Sequence, residues 1–231
     1  MNQSTKIRLS IMLLIASLVF QSCATTKVTN YWKNDQASME DFKQQKIFVI
    51  ARTNSNLTRA TLEQEIVMQL AKDGIEGLAS YQKFPQLNPE EEMTKERTAQ
   101  IKEILENDGF GGVIMVSVKD KKETTTTTQN GGYMGAGYNA YYPGRYGGFY
   151  NYYRQPYYYG SYYSSFPSYV PGTSTTSTST TYVLETVAYN MTAPDDQKLV
   201  FVVFSDIKDP NNVDKAAQSY VDTIVQKLSQ N

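Results

Sequence analysis

Histidine is absent from the 231 residues, and cysteine occurs once. Without imidazole there is no Ser-His-Asp triad, no histidine general base and no histidine-ligated metal. One thiol closes no intrachain disulfide and builds no thiolate cluster, so no metal site and no cofactor is expected. The formal charge is −1, from 22 basic and 23 acidic side chains, which is not the basic excess of a nucleic-acid footprint. No apolar stretch is long enough to span a bilayer comfortably as a helix, which takes about 20 residues. Charge is also missing locally: between Thr124 and Leu184 there is no Asp, Glu or Lys, and Arg145 and Arg154 are the only charged side chains. A chain of this length with 40% hydrophobic content supports one core with appendages rather than two independent domains.

What is present starts with a leader. Lys6 and Arg8 precede the apolar run Ile11 to Phe20 (IMLLIASLVF), and Cys23 follows in FQSC. This arrangement resembles the bacterial lipoprotein signal, in the relaxed form of Bacteroidetes lipoproteins. The resemblance implies cleavage between Ser22 and Cys23, a signal peptide over 1–22, and acyl chains such as palmitate on the cysteine. Each buried methylene contributes about 0.8 kcal/mol, so several chains hold the protein at a membrane, and Cys23 is read as a tether rather than a nucleophile. Cleavage takes Lys6 and Arg8 with it, changing the formal charge from −1 to −3. In proteins with this signal, an aspartate directly after the cysteine marks inner-membrane retention and an acidic cluster marks surface export. ATTKVTN contains neither. The expectation is an outer-membrane anchor with the body facing the periplasm, surface display being the alternative.

Residues 23–45 read as the lipidated N-terminus and a tether. The α/β (α+β) domain then runs over 46–123 and 182–231, split by an insertion at 124–181. Ile47 to Ala51 (IFVIA) predicts a strand buried on both faces. Leu62, Ile66 and Leu70 recur at helical spacing, with Gly74 as the stop. Glu76 to Tyr81 predicts a second strand. Asn88-Pro89-Glu90-Glu91 predicts the start of a helix carrying Ile101, Ile104 and Leu105, ended by Gly109. Val113 to Val118 predicts a third strand, a segment with Val183, Val187 and Tyr189 on one face a fourth, and Leu199 to Phe204 a fifth. Val213, Ala217, Tyr220, Ile224 and Leu228 share one side of a closing helix. The expected order is β-α-β-α-β-β-β-α in a mixed five-stranded sheet, parallel in its first half and an antiparallel meander in its second.

KIFVIA, the helix with Arg59 and Glu63, GLASYQKFP, NDGFGGVIMVSV, the Tyr/Gly-rich interruption, LETVAYN and LVFVVF together resemble a family of small bacterial lipoproteins of uncharacterised function. That family's fold is similar to the periplasmic domains of the curli-export lipoprotein and of lipoprotein activators of peptidoglycan synthases. The resemblance covers about Lys46 to Leu228 and implies the element order.

Fourteen of the nineteen tyrosines lie between Tyr133 and Tyr169. Their spacing follows neither strand nor helix period, so the block reads as a partly disordered appendage outside the core. The flanks TTTTTQ and TSTTSTSTT are strand formers that would extend the third and fourth strands as an arm. Tyrosine offers a large amphipathic face at low entropic cost. The candidate contact surface is therefore Arg145, Tyr146, Tyr150, Tyr152, Tyr153, Arg154, Tyr157, Tyr158 and Tyr159, directed at an envelope protein or a glycan. A weakly sticky loop with no dedicated ligand is the plain alternative.

The remaining constellations read as structure. Gly109, Gly111 and Gly112 follow a helix and precede a strand, the reverse of a nucleotide fingerprint. Glu90, Glu91 and Glu92 complement a helix dipole, Asp195 and Asp196 form a turn, and Asp206 and Asp209 act as caps. Asp222-Thr223-Ile224 resembles a Bacteroidetes O-glycosylation acceptor in a helical setting. The functional expectation is a non-enzymatic, lipid-anchored interaction module of the cell envelope. Against it stand a structural subunit of an outer-membrane assembly or export complex, and a carboxylate-dependent hydrolase.

Overall fold

The computed structural model describes residues 25–84, 94–127, 148–154 and 176–229. The leader, Ser22 and Cys23 lie outside them, as does the helix start expected at Asn88 to Glu92. No helix among the described residues is long and apolar enough to cross a membrane.

The sheet has six strands, where five were expected. The additional one is β1 (Thr25–Lys33), which lies within the segment read as a tether. It pairs antiparallel with β6 (Leu199–Lys208), placing Thr25 opposite Lys208 and Lys33 opposite Phe201. A short helix α1 (Met39–Lys43) follows, capped by the Ser38 side chain, and buries Phe42. All six residues of β2 (Ile47–Arg52) are buried. Helix α2 (Asn56–Lys72) is capped by Ser55 and buries Leu62, Ile66 and Leu70. It stops where Gly74 turns left-handed at φ 74°.

The expected second strand is shorter: β3 is Gly77–Ala79, and Ser80–Gln82 is a 3-10 turn. Helix α3 (Lys95–Asn107) is capped by Thr94 and buries Ile101 and Leu105. Then come β4 (Gly112–Thr127), α4 (Phe149–Arg154), β5 (Thr176–Asn190), β6 and α5 (Val213–Ser229).

Strand order is β1-β6-β5-β4-β2-β3. The β3, β2 and β4 strands run parallel and β4, β5 and β6 antiparallel, as the sequence predicted, and the unpredicted β1 adds a further antiparallel pairing. Helices cover both faces. On one, α2 and α5 pack over Val49, Ala51, Ile114, Leu184 and Val203. On the other, α3 and α4 pack over Phe48, Ile50, Met115, Val187 and Tyr189.

Helix α4 corrects the reading of the insertion as an appendage, because its Phe149, Tyr152 and Tyr153 belong to the second core cluster. Among the expected surface residues, Tyr152 and Tyr153 are interior. Four of these six residues are aromatic, and the three at i, i+3 and i+4 face the sheet, a spacing hidden in the sequence by the tyrosines around it.

Candidate functional site at the root of the insertion

Partnered strands end at different points around the insertion. Pairing of β2 with β4 stops at Arg52 opposite Ser117, and pairing of β6 with β5 stops at Lys208 opposite Thr181. The β4 and β5 strands continue together to Thr127 opposite Thr176, so the threonine flanks form a two-stranded arm.

Where the arm begins, the register shifts between Val118 and Asp120. Lys119 is the residue at that bulge, which re-aims a side chain as such irregularities do. Its ammonium reaches Glu185 Oε2 at 2.8 Å. Arg52, Ser117 and Glu185 are cross-strand neighbours in one row of the sheet. Burial is nearly complete: Arg52 is 8% exposed, Lys119 4% and Glu185 0%. Charges this deep require partners, since desolvation costs several kcal/mol per ion.

Helix α4 supplies those partners. The Tyr152 hydroxyl donates to Glu185 Oε2, the oxygen that also receives Lys119. The Lys119 ammonium stands 5.0 Å from the Tyr152 ring centroid. Arg52 Nη1 donates to the Tyr153 carbonyl at 3.0 Å, with its guanidinium 5.9 Å from the Tyr153 ring. Burial pushes the Tyr153 phenol up from its usual range, against the opposing pull of Arg52. Phe149 meets Tyr189 edge-on at 5.8 Å, and Tyr152 lies 6.3 Å from the same ring. The root of the insertion is thus riveted to the sheet by a phenol, a carboxylate, an ammonium and a guanidinium over an aromatic floor. The Ser117 hydroxyl, within this row, has no hydrogen-bond partner among the described residues.

The other predicted residues fall apart from this centre. Tyr150 is half-buried, its phenol raised by burial first and by Glu106 second. Arg154 is exposed and donates to Asn151 Oδ1 at 2.8 Å. Arg145, Tyr146, Tyr157, Tyr158 and Tyr159 lie outside the described residues. Thr223 is half-buried in α5, its hydroxyl donating to the Ser219 carbonyl at 2.6 Å.

Arg52, Lys119 and Glu185 were missed in the sequence. The signal was there: each charge interrupts or directly ends an apolar strand run, in IFVIAR, VIMVSVK and YVLETVAY.

A second ionic cluster is saturated. Glu63 Oε1 accepts from Ala51 N at 2.8 Å, Arg59 Nε at 3.0 Å and Ser80 Oγ at 2.7 Å, while Oε2 accepts from Tyr81 N at 2.7 Å. Arg59 also donates to the Phe84 carbonyl and to Ser80 Oγ, each at 2.7 Å. With its bonding capacity taken up in joining α2 to the β2–β3 edge, this cluster is a structural clasp.

On the opposite face, α2 and α5 leave a cavity of about 440 Å³ near their N-termini and one of about 460 Å³ near their C-termini. Among the described residues no group of three His, Cys, Asp or Glu side chains is gathered as for a metal ion.

The fold defines a mixed α/β domain with helices on both sheet faces. No family model matches the chain, and no curated protein sequence matches it. A DUF4136 family protein from Bacteroides thetaiotaomicron VPI-5482, of solved structure, is similar over 90% of this chain and 97% of its own, at a TM-score of 0.34 and 12% identity.

Proposed function

We propose that the protein is a lipid-anchored lipoprotein of the outer membrane, facing the periplasm. In this reading it is a non-enzymatic interaction module whose insertion contacts an envelope protein or a glycan. The anchor rests on the leader and Cys23 in the sequence. The observation that carries the contact role is compositional: fourteen of the nineteen tyrosines lie between Tyr133 and Tyr169, in a segment that the rivet beneath α4 ties to the sheet. The insertion is gripped near its middle in sequence, at Phe149–Arg154.

The test removes 130–144 and 157–172 while keeping α4 and both strands. Crosslinking in whole cells then compares envelope partners; the expected result is loss of those partners with an unchanged thermal midpoint. An unchanged partner set would refute the contact role. Acyl labelling of Cys23→Ser against wild type tests the anchor, with loss of label expected.

A structural subunit of an outer-membrane assembly is the second reading. It is favoured by the continuation of β4 and β5 beyond their neighbours.

A further inference from the structure

The arm has a direction as well as a length. The Thr180 N–H donates to Asp209 Oδ1 at 2.6 Å, and the Thr180 carbonyl accepts from Asp209 N at 2.7 Å. Both backbone groups of Thr180 therefore point toward the β6 side, away from β4. In an antiparallel ladder a residue pair either exchanges both bonds or points both sets outward, and the two kinds alternate. Glu123 is paired with Thr180, Thr125 with Thr178 and Thr127 with Thr176, without a register shift. Glu123, Thr125 and Thr127 consequently aim their N–H and C=O groups away from β5, along the outer edge of β4.

The two edges of the arm are treated differently. Asp209, held in the left-handed region at φ 46°, closes the β5 edge at Thr180. On the β4 side, no strand among the described residues pairs beyond Ser117. Glu123 and Thr125 are exposed. An edge with outward backbone groups is a template for strand addition, and past the charged run Lys119 to Glu123 the strand continues only in threonine.

We infer that this edge pairs with the same edge of a second copy, antiparallel and centred on Thr125. The order of side chains permits self-pairing in this register. In a two-fold arrangement centred there, Thr125 faces its own copy and Glu123 faces Thr127, each pair exchanging both backbone bonds. No two like charges oppose one another among these pairs. A register centred on Glu123 would oppose two carboxylates, a repulsion that each one's own Lys121 at 2.8 Å only partly offsets. One centred on Thr124 would set Glu123 opposite Thr125; crosslinking at 124 against 125 separates that register from the one inferred. The pairing also relieves the weakness of an isolated two-stranded ribbon, which is marginal in water, by making it four-stranded.

This inference rests on reading the insertion as a contact element, and the two can fail separately. A single-copy protein that still captures its envelope partner sinks only the self-pairing. A paired protein that captures none sinks only the partner.

The experiment uses the full chain carrying Cys23→Ser in mild detergent, with protein mass measured by sedimentation over a concentration series. A doubling of mass is expected. Thr125→Pro removes an outward N–H and leaves the β4–β5 bonds alone, so the mass returns to one copy. If the proline variant loses native circular dichroism, Thr125→Lys replaces it, setting two ammonium groups opposite each other with the same loss expected. In the same background, Thr125→Cys oxidises to a symmetric disulfide, because paired Cα atoms stand about 5.5 Å apart. Thr124→Cys, displaced from its own copy by two positions, crosslinks at least tenfold less. One-copy mass at every concentration, a doubled mass that survives both Thr125 variants, or equal crosslinking at 124 and 125 would overturn it.

Discussion

Glu185 lies between Leu184 and Thr186 in the middle of β5, where its ionised carboxylate has no access to water. Its cost is offset by Lys119 and Tyr152 meeting one oxygen. Truncating it breaks a buried ion pair by removing one partner, so Glu185→Ala should lower stability by about 3–5 kcal/mol. Tyr152→Phe removes the bond to the Glu185 carboxylate and keeps the ring, for a smaller loss of about 1.5–3 kcal/mol. Urea denaturation of the two variants checks both the values and their order. Asp206 behaves in the opposite sense. Burial raises its carboxyl above the usual 3.8, against the pull of Lys122 and then Lys27, and its Oδ1 has no hydrogen-bond partner among the described residues. A raised carboxyl binds its proton more readily in the folded chain. The ionised form therefore subtracts stability at neutral pH, and the deficit fades as pH falls through the folded-state value. Asp206→Asn should raise the urea midpoint at neutral pH and match wild type below about pH 4, where both states are protonated.

At the scale of elements, α4 changes what excision of the insertion means. Taken as an appendage, 124–181 could be cut away without harm. In the structure that cut removes Phe149, Tyr152 and Tyr153 from the core and exposes Arg52, Lys119 and Glu185. Each buried aromatic contributes about 1.5–3 kcal/mol. Excision of 124–181 should therefore lower the thermal midpoint sharply, whereas shortening on either side of α4 should not; a calorimetric scan of both variants separates the two. Long periodic elements were legible. Leu62, Ile66 and Leu70 do face the sheet, as do Ala217, Tyr220 and Ile224, though Val213 is exposed. Helix stops at Gly74 and Gly109 were legible too, since both take positive φ. The short elements were not. In β1, TTKVTNYWK only half-buries Val28, Tyr31 and Trp32, so its alternation is faint, and its strand state comes from the ladder to β6, which no local pattern encodes. In α4, six residues sit within a background so rich in tyrosine that an inward-facing aromatic cannot be told from any other.

For the molecule as a whole, connection length accounts for part of the sheet: β2, β3 and β4, joined through helices, lie parallel, and β5 and β6, joined by a turn, lie antiparallel, whereas β4 and β5 lie antiparallel across the long insertion that holds α4. The sixth strand has a consequence for orientation. Thr25 stands opposite Lys208, and Lys208 stands opposite Thr181, where the arm departs. Cys23 precedes Thr25 by two positions, a span of roughly 7 Å at full stretch. A mooring at that cysteine would leave the domain by the same gate as the ribbon, whose free part is about 17 Å long at a rise of about 3.4 Å per residue over Glu123 to Thr127. Two copies moored to one leaflet can then join head to head only by laying their ribbons flat along the lipid, since a ribbon plunging inward would need its mate upside down.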